Sequence, residues 1–166
     1  MNNLYLTGLF GCGKKSVGRE LARMAGVNFV DLETEAERAE GISVSAILES
    51  KGAQELKKRE QEALIKASKG DWQVIACGPD TTLCRENAEI MQRTGAIVFL
   101  DTPPERIIMN LARSGHPMSG MDRKTLEKLR AERLDSYAGC CGVQMDRGFD
   151  SASDAAYELL KIFYPC

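Results

Sequence analysis

The sequence has few of the features typical of metal-cluster, membrane or nucleic-acid-binding proteins. Its 166 residues include one histidine, and its six cysteines form no C-x-x-C pair, which excludes multi-histidine sites and the common zinc patterns. No apolar run approaches the ~20 residues of a membrane helix, and the first residues lack the basic and apolar blocks of a signal peptide. The net charge of −2 gives no general attraction to nucleic acid. We therefore expect a cytoplasmic protein that binds neither nucleic acid nor a membrane.

The length and composition are typical of one globular domain over residues 1–166. Hydrophobic residues make up 43% of the chain and charged residues 28%, which is ordinary for such a domain. In the cytoplasm we expect reduced thiols at all six cysteines, with the adjacent Cys140 and Cys141 as packing residues rather than a redox pair. The remaining four are Cys12, Cys77, Cys84 and Cys166.

Apolar runs alternate along the chain with amphipathic segments, which predicts strands that alternate with helices. This order predicts a parallel sheet with helices on both faces. The predicted strands are residues 4–6, 28–33, 72–76, 96–101 and 142–145, and the predicted helices include 55–67, 125–134 and 155–163.

A glycine-rich loop directly follows the first predicted strand. Its glycines and Lys14 have the Walker A spacing, in which backbone N–H groups and a helix N-terminus bind phosphates. The lysine of this motif neutralises the terminal phosphate groups. We therefore expect a nucleotide to contact the loop at Gly8, Gly11, Cys12, Gly13, Lys14, Lys15 and Ser16.

One position of this loop departs from the motif. Lys15 stands where a Ser or Thr hydroxyl normally ligates Mg²⁺. Ser16 follows, but a step of one residue turns a helix by about 100° and directs the hydroxyl elsewhere. Lys15 is either a solvated lysine that tolerates the missing ligand or an added phosphate contact. In both cases Mg²⁺ loses one expected ligand.

Carboxylates follow two of the predicted strands, at the edge where open α/β sheets bind ligands. Asp31 and Glu33 end the second strand, and Asp31 is either a helix cap or a group that acts through Mg²⁺ or as a base. The turn Gly78-Pro79-Asp80 follows the third strand. Asp80 is either a metal ligand or a turn residue. Asp31 and Asp80 are therefore the candidate metal ligands.

The order of these segments resembles the shikimate kinase family of P-loop kinases nearly from end to end. The loop, the strand-end acids, residues 52–60 and 74–78, Val98-Phe99-Leu100-Asp101 and Tyr137 fall in the family's order and spacing. The resemblance implies a three-layer α/β fold with a five-stranded parallel sheet of order 2-3-1-4-5. It also implies acceptor-side helices at about 34–68, a short lid at about 113–122, and ATP with Mg²⁺ as cofactors.

On the nucleotide side, the resemblance implies roles for two residues near the lid. Arg113 corresponds to an arginine that stacks on adenine, although it could simply end a helix. His116 replaces the lid arginine, either as a surface residue or as a phosphate contact. The family's permanent lid charge is therefore missing.

On the acceptor side, the resemblance implies that Glu33, Lys57, Gly78 and Asp80 lie at the substrate. Lys57 replaces an arginine that binds the acceptor's carboxylate, and a lysine cannot present the same bidentate fork. It lies in a charged run, so a solvated helix face is the other interpretation. Leu134 replaces a second such arginine. These changes make shikimate itself a doubtful acceptor.

Two functions follow as hypotheses. The first is ATP-dependent phosphoryl transfer to a hydroxyl of a small metabolite, with Lys14 and Asp31 as catalytic residues. The second is a nucleotide-binding pseudoenzyme with a regulatory or protein-interaction role, which Lys15, Pro79, Leu134 and His116 favour. We expect a monomer or weak dimer whose partners are a nucleotide and a small-molecule acceptor.

Overall fold

A parallel sheet with helices on both faces organises the chain. The structure, a computed structural model, describes residues 2–148 and 150–165, and within them the sheet has five strands in the order β2-β3-β1-β4-β5. This α/β architecture and strand order are as predicted. The strands are β1 Asn3–Thr7, β2 Asn28–Asp31, β3 Gln73–Ala76, β4 Gly95–Asp101 and β5 Val143–Asp146. The helices are α1 Lys14–Ala25, α2 Leu32–Glu40, α3 Val44–Ser50, α4 Ala53–Ser68, α5 Arg85–Thr94, α6 Pro104–Ser114, α7 Arg123–Cys140 and α8 Ala152–Phe163, with a 3₁₀ turn at Thr81–Leu83.

Strand β1 lies at the centre of the sheet. It pairs in parallel with β3 on one side and with β4 on the other, and all five of its residues are buried. The loop that follows β1 therefore emerges between the carboxyl ends of β3 and β4. Central parallel strands place ligand-binding loops at this edge.

Alternate residues of the strands build two hydrophobic layers. On one face, Leu6 and Val98 belong to a cluster with residues of α1 and α8. On the other, Tyr5 and Ile75 belong to a cluster with residues of α4 and α5. Burial of each such side chain contributes roughly 1.5–3 kcal/mol, so both faces hold the sheet, and the phosphate loop, in place.

Several element ends differ from the sequence-based prediction, and capping side chains set three of them. β2 stops at Asp31 rather than at residue 33, since the Asp31 carboxylate caps α2. Helix α8 begins at Ala152, earlier than predicted, where Ser151 is the cap. Helix α7 begins after the cap Asp122 and continues to Cys140, well beyond the predicted end at residue 134.

The described cysteines are all free thiols, namely Cys12, Cys77, Cys84, Cys140 and Cys141. Cys166, for which a reduced thiol is also predicted, lies outside the described residues. Across the described chain, none of the helices has the length and apolarity required to cross a membrane.

Candidate active site

The loop between β1 and α1 has a backbone that glycine favours. Gly8, Gly11 and Gly13 have φ angles of 142°, 74° and 102°, which L side chains rarely adopt. At Gly8, an added Cβ would also lie 2.8 Å from the carbonyl oxygen of Leu100. The glycines thus let the loop lie tightly against the sheet and place the start of α1 at its carboxyl edge.

The Lys14 side chain is enclosed by this loop. It is only 7% exposed, and its Nζ donates a hydrogen bond to the carbonyl oxygen of Gly8 at 2.6 Å. Within the described part of the chain, no carboxylate forms a salt bridge with Lys14. Its positive charge is therefore available to an anion at the loop.

Side chains from distant elements fix the loop from beneath. Thr102 Oγ1 and Arg147 Nη1 donate to the carbonyl oxygen of Cys12 at 2.8 and 3.1 Å, and Asn110 Nδ2 donates to that of Gly11 at 2.8 Å. Sequence reasoning missed all three donors, because no local motif links Arg147 to a loop that lies 135 residues away. Burial raises the pKa of the Cys12 thiol, which keeps this side chain neutral.

A cleft of about 550 Å³ opens beside the loop. Among the described residues that line it, five are cationic and only one, Glu33, is a carboxylate. Such a surface attracts a polyanion. Of the predicted nucleotide-binding residues, Gly8 and Cys12 are outside the lining. The cleft brings together the others, Gly11, Gly13, Lys14, Lys15, Ser16, Arg113 and His116, and adds Arg106 and Arg147 to the cations.

Lys15 and Asp31 form an ion pair across the gap between α1 and β2. Lys15 Nζ lies 3.2 Å from Asp31 Oδ2, and the Asp31 side chain is 5% exposed against 50% for Lys15. The same carboxylate accepts hydrogen bonds from the Glu33 backbone N–H at 3.1 Å and from Thr34 Oγ1 at 3.0 Å. Asp31 therefore has the helix-cap geometry and is also a counterion of the phosphate loop.

Helix α7 fixes the turn that follows β3. Arg133 Nε donates to Asp80 Oδ1 at 2.7 Å, and Tyr137 Oη donates to the carbonyl oxygen of Pro79 at 2.5 Å. Leu134 packs instead against a hydrophobic cluster that includes Tyr137. Arg133, which precedes Leu134 in the chain, is thus already paired with Asp80.

Glu60 of α4 is a buried carboxyl group that sequence reasoning did not select as a site residue. It is 7% exposed and accepts no hydrogen bond from the described residues. It borders the same turn, since a Cβ added at Gly78 would lie 2.7 Å from Glu60 Oε1. Burial, followed by the negative charge of Glu33, raises the pKa of Glu60 to about 8. The group is therefore mostly protonated at neutral pH.

Lys57 is not brought to the cleft. It is exposed on α4, is absent from the cleft lining, and makes no salt bridge within the described residues. Its neighbour Arg59 instead pairs with Glu40 at 2.5 Å. The arrangement leaves the acceptor role of Lys57 as a prediction.

His116 lies beside the phosphate loop, in the segment between α6 and α7. Its ring stacks on Phe10 with centroids 5.9 Å apart, and its Nδ1 accepts a hydrogen bond from the Met118 backbone N–H at 3.0 Å. Burial lowers the pKa of His116, so the imidazole is uncharged at neutral pH. The segment between α6 and α7 thus contributes a neutral ring to the cleft.

Known proteins share both the sequence and the fold of this chain. The family model of shikimate kinase matches residues 10–163. The chain belongs to the shikimate kinase family. A shikimate kinase of Symbiobacterium thermophilum is 35% identical to it over 164 residues, covering 96% of this chain and 94% of the relative. One of Caldanaerobacter subterraneus is 34% identical over 140 residues, covering 82% of each chain.

The solved structures agree with this assignment. The shikimate kinase from Acinetobacter baumannii in complex with shikimate superposes with a TM-score of 0.90 and 28% identity, covering 98% of this chain and 92% of that one. The predicted resemblance and fold are therefore confirmed. As a shikimate kinase family member, the chain is a nucleotide-binding P-loop protein of the kinase type.

The family implies ATP and Mg²⁺, but the residues present fit Mg²⁺ poorly. Magnesium requires oxygen ligands such as carboxylates and the loop hydroxyl. Lys15 supplies no oxygen, Asp31 is engaged by three donors, and Asp80 is engaged by Arg133. In the described chain, no group of three or more His, Cys, Asp or Glu residues is arranged to hold a metal. The described residues therefore offer Mg²⁺ few free oxygen ligands.

Proposed function

We propose that this protein transfers the γ-phosphoryl group of ATP to a hydroxyl of a small metabolite, at an acceptor site that suits a compound without a carboxylate. The main support is the cationic cleft at the phosphate loop, with Lys14 enclosed at its base. Family membership supports the reaction class.

The nucleotide side of the site combines free positive charge with backbone N–H groups. Among the described residues, the one hydrogen-bond partner of Lys14 Nζ is the carbonyl oxygen of Gly8, so a phosphate oxygen can replace that weaker acceptor. Lys15, Ser16 and Arg113 line the same cleft, and the first turn of α1 faces it. We assign the β- and γ-phosphates to the loop and Lys14, and the adenine to Arg113.

The acceptor side of the site lacks the guanidinium groups that would bind a carboxylate. Leu134 is partly buried against a hydrophobic cluster, and the neighbouring Arg133 is paired with Asp80 at 2.7 Å. Glu33, Glu60 and Asp80 lie around the turn, and among the described residues only Asp80 of these three has a cationic partner. The arginines of α7 all pair with carboxylates in the described chain, so a substrate carboxylate would find no free guanidinium on this helix. Neutral hydroxyls, in contrast, can bind carboxyl groups and backbone N–H groups. We therefore place a neutral polyol at Glu33, Gly78 and Asp80, with Lys57 at its rim.

In the reaction, the acceptor oxygen attacks the γ-phosphorus as the bond to the bridging oxygen of ADP breaks. Lys14 neutralises charge on the β- and γ-phosphate oxygens as it builds up. We assign the proton of the attacking hydroxyl to Asp31, whose carboxylate stands at the carboxyl end of β2 beside the phosphate loop.

The second candidate is a nucleotide-binding pseudoenzyme with a regulatory or protein-interaction role. One observation favours it: both candidate metal ligands form salt bridges with cations. Asp31 pairs with Lys15, and Asp80 pairs with Arg133. In this case the cleft binds a nucleotide without transferring its phosphate.

A coupled assay of ADP release separates the two candidates. The acceptor panel contains shikimate, neutral polyols and aminopolyols, and ATP affinity is measured in parallel by calorimetry. We expect turnover with a neutral polyol that exceeds turnover with shikimate, and a loss of about a hundredfold or more in Lys14→Ala. Lys66→Ala, at an exposed lysine of α4, is the matched control. ATP binding without turnover on any acceptor would favour the pseudoenzyme, and fastest turnover with shikimate would refute the altered acceptor site.

A further inference from the structure

The position that supplies the Mg²⁺ ligand in a Walker A loop supplies a cation here. Lys15 follows Lys14 directly, lines the cleft and is 50% exposed, so its ammonium can reach a bound phosphate. A Ser or Thr hydroxyl at this position would bind Mg²⁺, whereas an ammonium repels it. Lys15 therefore places a positive charge where the motif normally places an oxygen ligand for Mg²⁺.

The carboxylate beside this position is already paired with a cation. Asp31 Oδ2 receives Lys15 Nζ at 3.2 Å and Thr34 Oγ1 at 3.0 Å, and Oδ1 receives the Glu33 N–H at 3.1 Å. A divalent cation at Oδ2 would have to displace the Lys15 ammonium. Asp31 thus orients Lys15 rather than a metal.

The charges of the cleft are consistent with an anion that carries no metal. Metal-free ATP has about four negative charges at neutral pH. Of the five cations among the described lining residues, Lys14, Arg106 and Arg113 pair with no carboxylate in the described chain. Lys15 adds a fourth cation, which shares its charge with Asp31. The protein can therefore neutralise the polyphosphate with its own side chains.

We propose that Lys15 supplies the positive charge that Mg²⁺ supplies in a standard Walker A site, so that this protein binds its nucleotide without a divalent cation. The inference rests on the proposed nucleotide site and concerns binding, not the rate of transfer. It assigns Asp31 a second task, which is to hold the Lys15 ammonium at the phosphates.

Calorimetric titration of ATP, in EDTA and in excess Mg²⁺, tests this inference. For the wild type we expect Mg²⁺ to leave the dissociation constant within about threefold or to weaken binding. Lys15→Ser restores the hydroxyl, so its binding should weaken about tenfold or more in EDTA and recover with Mg²⁺. Lys15→Gln removes the charge without adding the hydroxyl and should bind weakly in both buffers. Lys66→Ser is the control for loss of a lysine charge, and circular dichroism checks that each variant is folded.

Two outcomes would overturn the inference. One is a gain of about tenfold or more from Mg²⁺ in the wild type, and the other is unchanged affinity in EDTA for both Lys15 variants. If either occurs while the wild type still phosphorylates an acceptor, the proposed kinase function stands without it. Absence of ATP binding in both buffers would refute the inference together with the nucleotide site.

Discussion

The buried carboxyl of Glu60 makes the stability of this protein depend on pH in a direction that can be worked out. Burial and the nearby charges of Glu33, Asp80 and Asp31 raise the pKa of Glu60 to about 8, and Lys14 offsets part of this effect. Between the ordinary pKa of 4.5 and about 8, the folded chain keeps a proton that the unfolded chain releases. The free energy of unfolding should therefore fall as the pH rises through this window.

The size of the effect follows from the same values. One pKa unit corresponds to about 1.4 kcal/mol, so the full change would remove about 5 kcal/mol between pH 4.5 and about 8. Water entry and side-chain movement reduce the cost once the charge appears, and we expect about 2–4 kcal/mol. This is a large part of the stability of a typical domain.

The assay compares wild type with Glu60→Gln, which keeps the size of the side chain but does not titrate. Urea unfolding is followed by circular dichroism at about pH 5, 7 and 9. The stability difference, wild type minus variant, should decrease by about 2–4 kcal/mol over this range. Glu49→Gln, at an exposed carboxylate of α3, should show no such trend. If the free energy of unfolding of the wild type changes with pH in parallel with that of Glu60→Gln, the reasoning is refuted.

Three further predictions concern single atoms of the scaffold, and all are measured by denaturant unfolding. Tyr137→Phe should cost about 1–2 kcal/mol, because the buried Tyr137 hydroxyl donates to the Pro79 carbonyl at 2.5 Å. Tyr164→Phe should be neutral or stabilising, because the buried Tyr164 hydroxyl has no hydrogen-bond partner in the described structure; equal losses in the two variants would contradict this. Gly95→Ala should cost about 3 kcal/mol or more, because the added Cβ would lie 2.0 Å from the Asn3 carbonyl oxygen where β1 pairs with β4. Near-native stability of that variant would mean that the strands separate at little cost.

Much of the fold was predictable from local patterns. Alternating apolar runs and helical periodicity gave the strands, and short-range motifs placed the phosphate loop at the end of β1. Several misplaced element ends have one cause, since an N-cap such as Asp31 or Ser151 starts a helix through one hydrogen bond that hydropathy does not register.

The sequence by itself determined the proposed phosphate-binding loop, because Gly8, Gly11 and Gly13 set its backbone and Lys14 lies within the same short segment. Only the tertiary structure decided which charges meet around that loop. Asp80 and its partner Arg133 lie 53 residues apart, and Arg147 reaches the loop carbonyl across 135 residues. These pairings depend on which helices pack at the carboxyl edge of the sheet and on burial, which changes the charge of a group such as Glu60 without any change in local sequence.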